Sequence, residues 1–422
     1  MSLQGIFNTS VQALNAQAQQ LSNISTNIAN VNTTGYKLQG TGFATLLNRA
    51  TPLEKQFFAV DTFDFREVSK QGVITSTNRS FDVALNGRGF FVTNKNMDGD
   101  SGWQYTRDGA LFGRVVGLNT DTDGDGQTDQ GTLLTTASGA FVYGWAADKN
   151  GNITETNNLA SLTPVMFNNN SVVPSKATSN IALQSNLSAG GTGRQSVGLP
   201  FVDPDGNSRT LAVGFTATLG AEWILDMESI GTDQKPMAVT FNPPIISFDS
   251  LGKLSSPTNG LLSVTVNDSG GLQAMTVDLS KMTQLADAGS LTVQNIDHDG
   301  FLEGRLQETY FNRLGVLVGS YSNGEVRNLY KLPIARFEAD DNLEARNGNV
   351  FLQSSASGDL MLSGLGSPAG TTDIVVGALE QSNVDLADQF TKMIVTQRAY
   401  SSAATVLRTA DEMSQAARDL KR

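Results

Sequence analysis

The chain of 422 residues has no cysteine and a single histidine, His298. That excludes disulfides, thiolate chemistry, Cys–His nucleophilic sites and His-rich zinc sites. A Ser–His–Asp arrangement would have to use His298. It sits in Asp297-His298-Asp299-Gly300, a sequence expected to turn. Charge is also sparse, at 17% of residues, where about a quarter is ordinary. Lys plus Arg is 29 against 41 for Asp plus Glu, a net charge of −12. With no basic stripe, nucleic-acid binding and attachment to anionic membranes are poorly served. No apolar run is long enough to span a bilayer. The beginning does not read as a secretory signal, because the first charged side chain is Lys37 and Gln and Asn interrupt every apolar stretch before it. No Gly-rich phosphate loop joins a strand to a helix, and no segment suggests a sugar cleft flanked by paired carboxylates. The composition therefore points away from an enzyme. What replaces the missing charge is Asn, Thr, Ser and 42 Gly, with 39% hydrophobic residues, a mixture suited to turn-rich β structure with neutral surfaces.

The two ends differ from the middle. Residues 6–34 contain neither Gly nor Pro, and Phe7, Leu14, Leu21 and Ile28 recur seven apart, with Val11, Ala18 and Ser25 between. After Gly377 both residue types are again absent. There Leu386, Met393, Tyr400 and Leu407 repeat at seven, with Phe390, Gln397, Ala404 and Asp411 between. These are heptad-like patterns, and they predict a helix at each end that could pair into a coiled coil. An ordinary terminal helix pair in a globular domain is the alternative. Ser382 and Asp385 have capping-box spacing, so the second helix is expected to start near Asn383. The weak seam members Ser25, Gln397 and Asp411 and the uncharged first 36 residues suit a marginal pair that orders against neighbours.

From about Gly72 to Gly377 the pattern is β. Phe81, Val83 and Leu85 alternate with polar or small residues, as do Leu211, Val213 and Phe215. Asn86-Gly87, Asp108-Gly109, Asp205-Gly206 and Asn323-Gly324 are expected to be hairpin-type turns. The spacing of Gly and Pro fits antiparallel sheets rather than βαβ units. The stretch 168–192 is polar and reads as a border. Asp121, Asp123 and Asp125, followed by Gly126, Thr128 and Asp129, match the first half of a calcium loop. The twelfth position is Thr132 instead of Glu, so the alternatives are a structural calcium site and a solvated acidic turn.

The residue order carries more than the composition. Asn23, Asn27 and Asn30 lie three or four apart, so their amides can reach a neighbouring helix or backbone. Thr33-Thr34-Gly35 should end the helix, with Gly35 in the left-handed turn. The segment Asn27, Asn30, Asn32, Thr34, Gly35, Tyr36 and Lys37 resembles the N-terminal signature of the bacterial flagellar rod, hook and hook-associated axial proteins. Residues 81–92 and 379–413 are similar to two further blocks of that family, in the same order. Residues 279–327, with Asp299-Gly300-Phe301 and the run 319–324, resemble its hook branch. The distal rod branch shares the ends but is much shorter.

The resemblance implies an α+β multidomain fold. Residues 1–34 and 380–422 would form a terminal coiled-coil domain, and 35–75 a connecting segment. Residues 76–165 and 296–379 would form an inner β domain, with a mainly antiparallel outer β domain, 166–295, inserted in it. It further implies a self-assembling structural subunit, polymerising along Phe7, Val11, Leu14, Leu21, Ile28, Leu386, Phe390, Met393, Tyr400 and Leu407. Its expected partners are copies of itself, the rod, the hook cap, the hook–filament junction proteins and the flagellar type III export gate. Localisation would be extracellular, without a cleaved signal peptide. Residues 43–47 resemble the export-gate element of such subunits, or form a small packing contact. A surface adhesin-like module is the other class that the Thr- and Asn-rich middle allows.

Overall fold

The structure, a computed structural model, describes residues 3–48, 57–99, 102–117, 130–168, 171–189, 193–218, 222–230, 236–268, 271–286, 291–364 and 372–419. It is mostly β, with one long helix near each end. Helix α1 spans Leu3–Ala29 and helix α2 spans Leu386–Asp419. They pack side by side in opposite directions, because Asn27 near the end of α1 meets Gln389 at the start of α2. No helix among the described residues is long and apolar enough to cross a membrane.

Both helix boundaries differ from expectation. Helix α1 ends at Ala29 and not near Thr34, because the Asn30 amide turns back to the Thr26 carbonyl at 2.8 Å; such local side-chain bonds compete with helix continuation. Helix α2 is capped by Asp385, whose carboxylate accepts from Ala387 N at 2.8 Å and Asp388 N at 3.3 Å. Ser382 instead takes the Val384 N–H, two residues on.

After α1 the chain forms an antiparallel hairpin of strand β1, Gln39–Asn48, and strand β2, Phe57–Arg66. Beyond it lie two large sheets. One takes its strands from residues 90–173 and 304–363, the other from residues 180–298. In the second, period-two alternation aims Val197, Leu199 and Phe201 inward from one strand and Leu211, Val213 and Phe215 from its partner, onto Trp223, Leu225 and Ile246. The first sheet buries Leu85, Phe91, Leu134, Val142 and Leu317 in one cluster and Phe90, Tyr105, Trp145, Phe337 and Phe351 in another. Among the described residues pairing is antiparallel except at Asn180–Ser188, which runs parallel to both Gly271–Asp278 and Thr283–Leu285.

Two of the four expected hairpin turns join paired strands, those at Asp205-Gly206 and Asn323-Gly324. The other two do not. Val83–Asn86 pairs with Asp373–Val376 from the far end of the chain, not with Phe90–Asn94 across Asn86-Gly87. At Asp108-Gly109, Trp103–Thr106 and Leu111–Gly117 take different partners. Gly109 is needed there for close approach, because a Cβ would collide with the Val83 carbonyl. Turn chemistry permits a reversal, but burial selected the distant partners.

Candidate functional site

The Asn-rich end of α1, the Gly35–Leu38 turn, the hairpin and the start of α2 meet in one place. Asn27, buried at 1% exposure, lies at the centre. Its amide donates to Gln39 O at 2.8 Å and to Gln389 Oε1 at 3.1 Å. Its oxygen accepts from Tyr36 Oη and from Gln39 N, each at 3.0 Å. Both donors and both acceptor sites of one side chain are therefore used to join α1, the turn, β1 and α2. Four residues earlier, one helical turn along the same face, Asn23 donates to Thr41 Oγ1 at 2.7 Å and Asp64 Oδ1 at 2.6 Å. That bond pair seats the hairpin on α1. Burial pushes the Tyr36 phenol up, with the Arg66 charge opposing weakly.

Gly35 adopts φ +65, and a Cβ there would come within 2.7 Å of Asp108 N. The close approach sets Gly35 against the Arg107–Asp108 connection. Tyr36 and Leu38 pack on Val384. Lys37 is fully buried; its Nζ donates to Glu380 Oε1 at 2.7 Å and to Lys70 O at 2.6 Å. Arg107 Nη1 meets the other carboxylate oxygen at 3.2 Å, and Gly72 N donates to Oε1 at 2.9 Å. Burial lowers the affinity of Lys37 for its proton, Glu380 partly restores it and Arg107 opposes it. Asn383 completes the knot: its oxygen accepts from Leu38 N at 2.7 Å, and its amide donates to Glu67 O at 3.0 Å and Lys70 O at 3.1 Å. The arrangement holds no nucleophile beside a base. What it does is tie both chain ends to the β body.

Of the signature residues, Asn27, Gly35, Tyr36 and Lys37 are in this network. Asn30 bonds within its own helix end, Thr34 offers its carbonyl to Asn349 at 2.9 Å, and Asn32 is exposed. Glu380, Arg107 and Gln389 carry no sequence expectation, and Asn383 is expected only as a helix start. Glu380 had a signal, as an acid isolated in an uncharged run from 374 to 384.

The heptad residues are distributed unevenly. Phe7, Leu14, Leu21, Ile28, Met393 and Leu407 are half-buried, whereas Val11, Leu386, Phe390 and Tyr400 are exposed. The line that α2 buries runs Gln389, Thr396 and Ala410, with half-buried Ala403 at the same spacing of seven. The most buried positions of α2 are thus small or polar, while Ile24 of α1 is buried and six of the ten heptad residues are half-buried. Asp121, Asp123, Asp125 and Asp129 lie outside the described residues. Phe43 is exposed on β1. His298 ends a strand, and its Nδ1 lies 2.8 Å from Gly300 O.

Comparison with known proteins follows the same division of the chain. Residues 7–37 match the family described as flagella basal body rod protein. Residues 375–420 match the C-terminal family of the flagellar basal body rod FlgEFG proteins. Over its full length the chain is 30% identical to the flagellar hook protein FlgE of Rhizobium meliloti (strain 1021), and the match covers 100% of both. The chain belongs to the flagellar hook protein family. It is 28% identical to the hook protein of Salmonella typhimurium, over 96% of this chain and 98% of that one. The crystal structure of Helicobacter pylori flagellar hook protein FlgE2 shares the fold at TM-score 0.50 and 13% identity, covering 73% of this chain and all of that one. The hook family is a structural one, and the knot of Asn27, Lys37 and Glu380 lies in the two segments that match its rod-type families.

Proposed function

We propose that this hook subunit polymerises head to tail into a tube through its paired end helices. In that tube the helices form a coiled coil lining a central channel. The single observation that carries this reading is the apolar surface left uncovered on α2, where Leu386, Phe390, Ile394, Val395, Val406 and Met413 are all exposed. A helix apolar on more than one side is built to be covered. Helix α1 carries no charged side chain, so packing against like neighbours meets no charge repulsion or ion desolvation. At roughly 25 cal/mol per Å² of apolar surface, covering these stripes outweighs any single polar contact. Open-ended contacts between different surfaces extend a helical polymer, whereas a two-fold patch would close a dimer.

The β body divides the remaining work. An outer β domain, inserted in an inner one, presents Thr- and Asn-rich surfaces whose wet contacts exchange for similar ones when neighbours slide. A tube with a shear-resistant core and a sliding exterior transmits torque while it bends, as a joint between rod and filament requires. The subunit leaves the cell unfolded through the flagellar type III gate, with residues 43–47 as a candidate gate element. At its ends the polymer meets the rod, the cap and the hook–filament junction proteins.

Removal of Leu407–Arg422 tests this. Electron microscopy should then show no tubes under conditions where the full chain forms them, while circular dichroism shows the β body still folded. Tubes of normal length from the truncated chain would overturn the reading.

A further inference from the structure

The β1–β2 hairpin has two faces. Thr41 and Asp64, directly paired, point to α1 and hold Asn23. The opposite face carries the pairs Gly40 with Phe65, Gly42 with Phe63 and Ala44 with Asp61. Each phenylalanine ring lies across the glycine opposite it, where any Cβ would overlap the ring. The two rings, with centroids 6.4 Å apart, are thus laid out on a flat glycine bed and not folded into a core. Phe63 is 56% and Phe65 40% exposed.

Helix α2 carries a ridge with the same spacing. Phe390, Ile394 and Arg398 are four apart, so successive side chains are about 6 Å apart along the axis. Phe390 is 50% and Ile394 54% exposed, and Arg398 is exposed beyond them. On the strand, Phe65 to Asp61 spans about 13 Å; on the helix, Phe390 to Arg398 spans about 12 Å. Both rows read apolar, apolar, charge, and the charges are opposite. Neither Asp61 nor Arg398 has an ion-pair partner among the described residues. Within one chain Phe63, Phe390 and Ile394 are at least half exposed, and Phe65 keeps 40% exposure although it borders a cavity beside Gln389 and Lys392.

We propose that the outward hairpin face of one subunit docks on the α2 ridge of a second copy, with Phe65 by Phe390, Phe63 by Ile394 and Asp61 by Arg398. The proposal rests on the tube reading and adds to it a specific contact and register. Charge complementarity at one end of an apolar ladder fixes both register and direction, which a purely apolar contact would leave free. The patch is small for a stable dimer, so it acts only where many copies repeat it.

The test is a charge swap in the full chain, read as the critical concentration for tube formation. Asp61→Arg and Arg398→Asp each place like charges together and should raise it by about tenfold or more; the double variant should return it close to that of the unmodified chain. Both sites are exposed, so thermal unfolding of the monomers should not change. The chain's lack of cysteine allows a second readout: a mixture of Phe63→Cys and Ile394→Cys chains, assembled and then treated with a mild thiol oxidant that takes up the two electrons, should give the mixed disulfide in tubes. An unmodified chain that never polymerises overturns the tube reading and the contact with it. Tubes that form with single variants unaffected, or with a double variant no better than either, overturn the contact alone.

Discussion

Glu380 is the residue on which most depends. Two cationic side chains, Lys37 and Arg107, are buried against one carboxylate, and all three are at most 1% exposed. An ion group of this kind adds little net stability over an apolar replacement, but removing one member leaves uncompensated charge. Glu380→Gln should therefore cost about 3–5 kcal/mol, measured by urea unfolding. The Lys37 amine, which burial already disfavours as a cation, should then shed its proton more readily. Unfolding unchanged within error would show that the charges are compensated elsewhere. Some of this was legible in the sequence. Lys37 was visible as the first charge in the chain, and the amide spacing signalled the cross-element hydrogen bonds of Asn23 and Asn27, though Asn30 bonds within its own helix end. The partners were not legible, because Glu380 and Arg107 lie 343 and 70 positions from Lys37, and no local pattern encodes a contact at that range.

At the scale of elements, helix and strand types were readable from period alone, and boundaries were decided by single side chains. The start of α2 shows this. Ser382 and Asp385 both suit a cap, but only Asp385 reaches the free N–H groups of Ala387 and Asp388. Asp385→Ala should destabilise the helix by about 1 kcal/mol, the usual worth of such a cap, and Ser382→Ala by clearly less. Thermal melts followed at the helical circular dichroism band distinguish the two; equal losses would contradict the assignment. The heptad spacing was legible but its phase was not. Within one subunit the line of α2 that is buried runs Gln389, Thr396 and Ala410, beside the half-buried Met393 and Leu407. Leu386, Phe390 and Tyr400 stay exposed, because periodicity reports that a face is to be covered without saying by which partner. The hairpin of β1 and β2 escaped notice for a related reason. It lies within 35–75, expected only as a connecting segment, and nothing local to Gly40 and Gly42 shows that the rings of Phe65 and Phe63 lie across them.

At the scale of the whole molecule, the two ends are far apart in sequence and adjacent in space. The same knot of Asn27, Lys37, Glu380 and Asn383 ties them to the β body through Glu67, Lys70, Gly72 and Arg107. The apolar flanks of α2 and the ringed face of the hairpin remain open in the single subunit. On the proposed reading the end helices form the innermost wall of a tube, and neighbouring copies cover what one chain leaves bare. Electron cryo-microscopy of the assembled polymer tests it most directly, through the radial position of α1 and α2 in the density. The account predicts both helices side by side at the smallest radius around an open channel. Density that puts them at the outer surface, or separates α1 from α2, would contradict it.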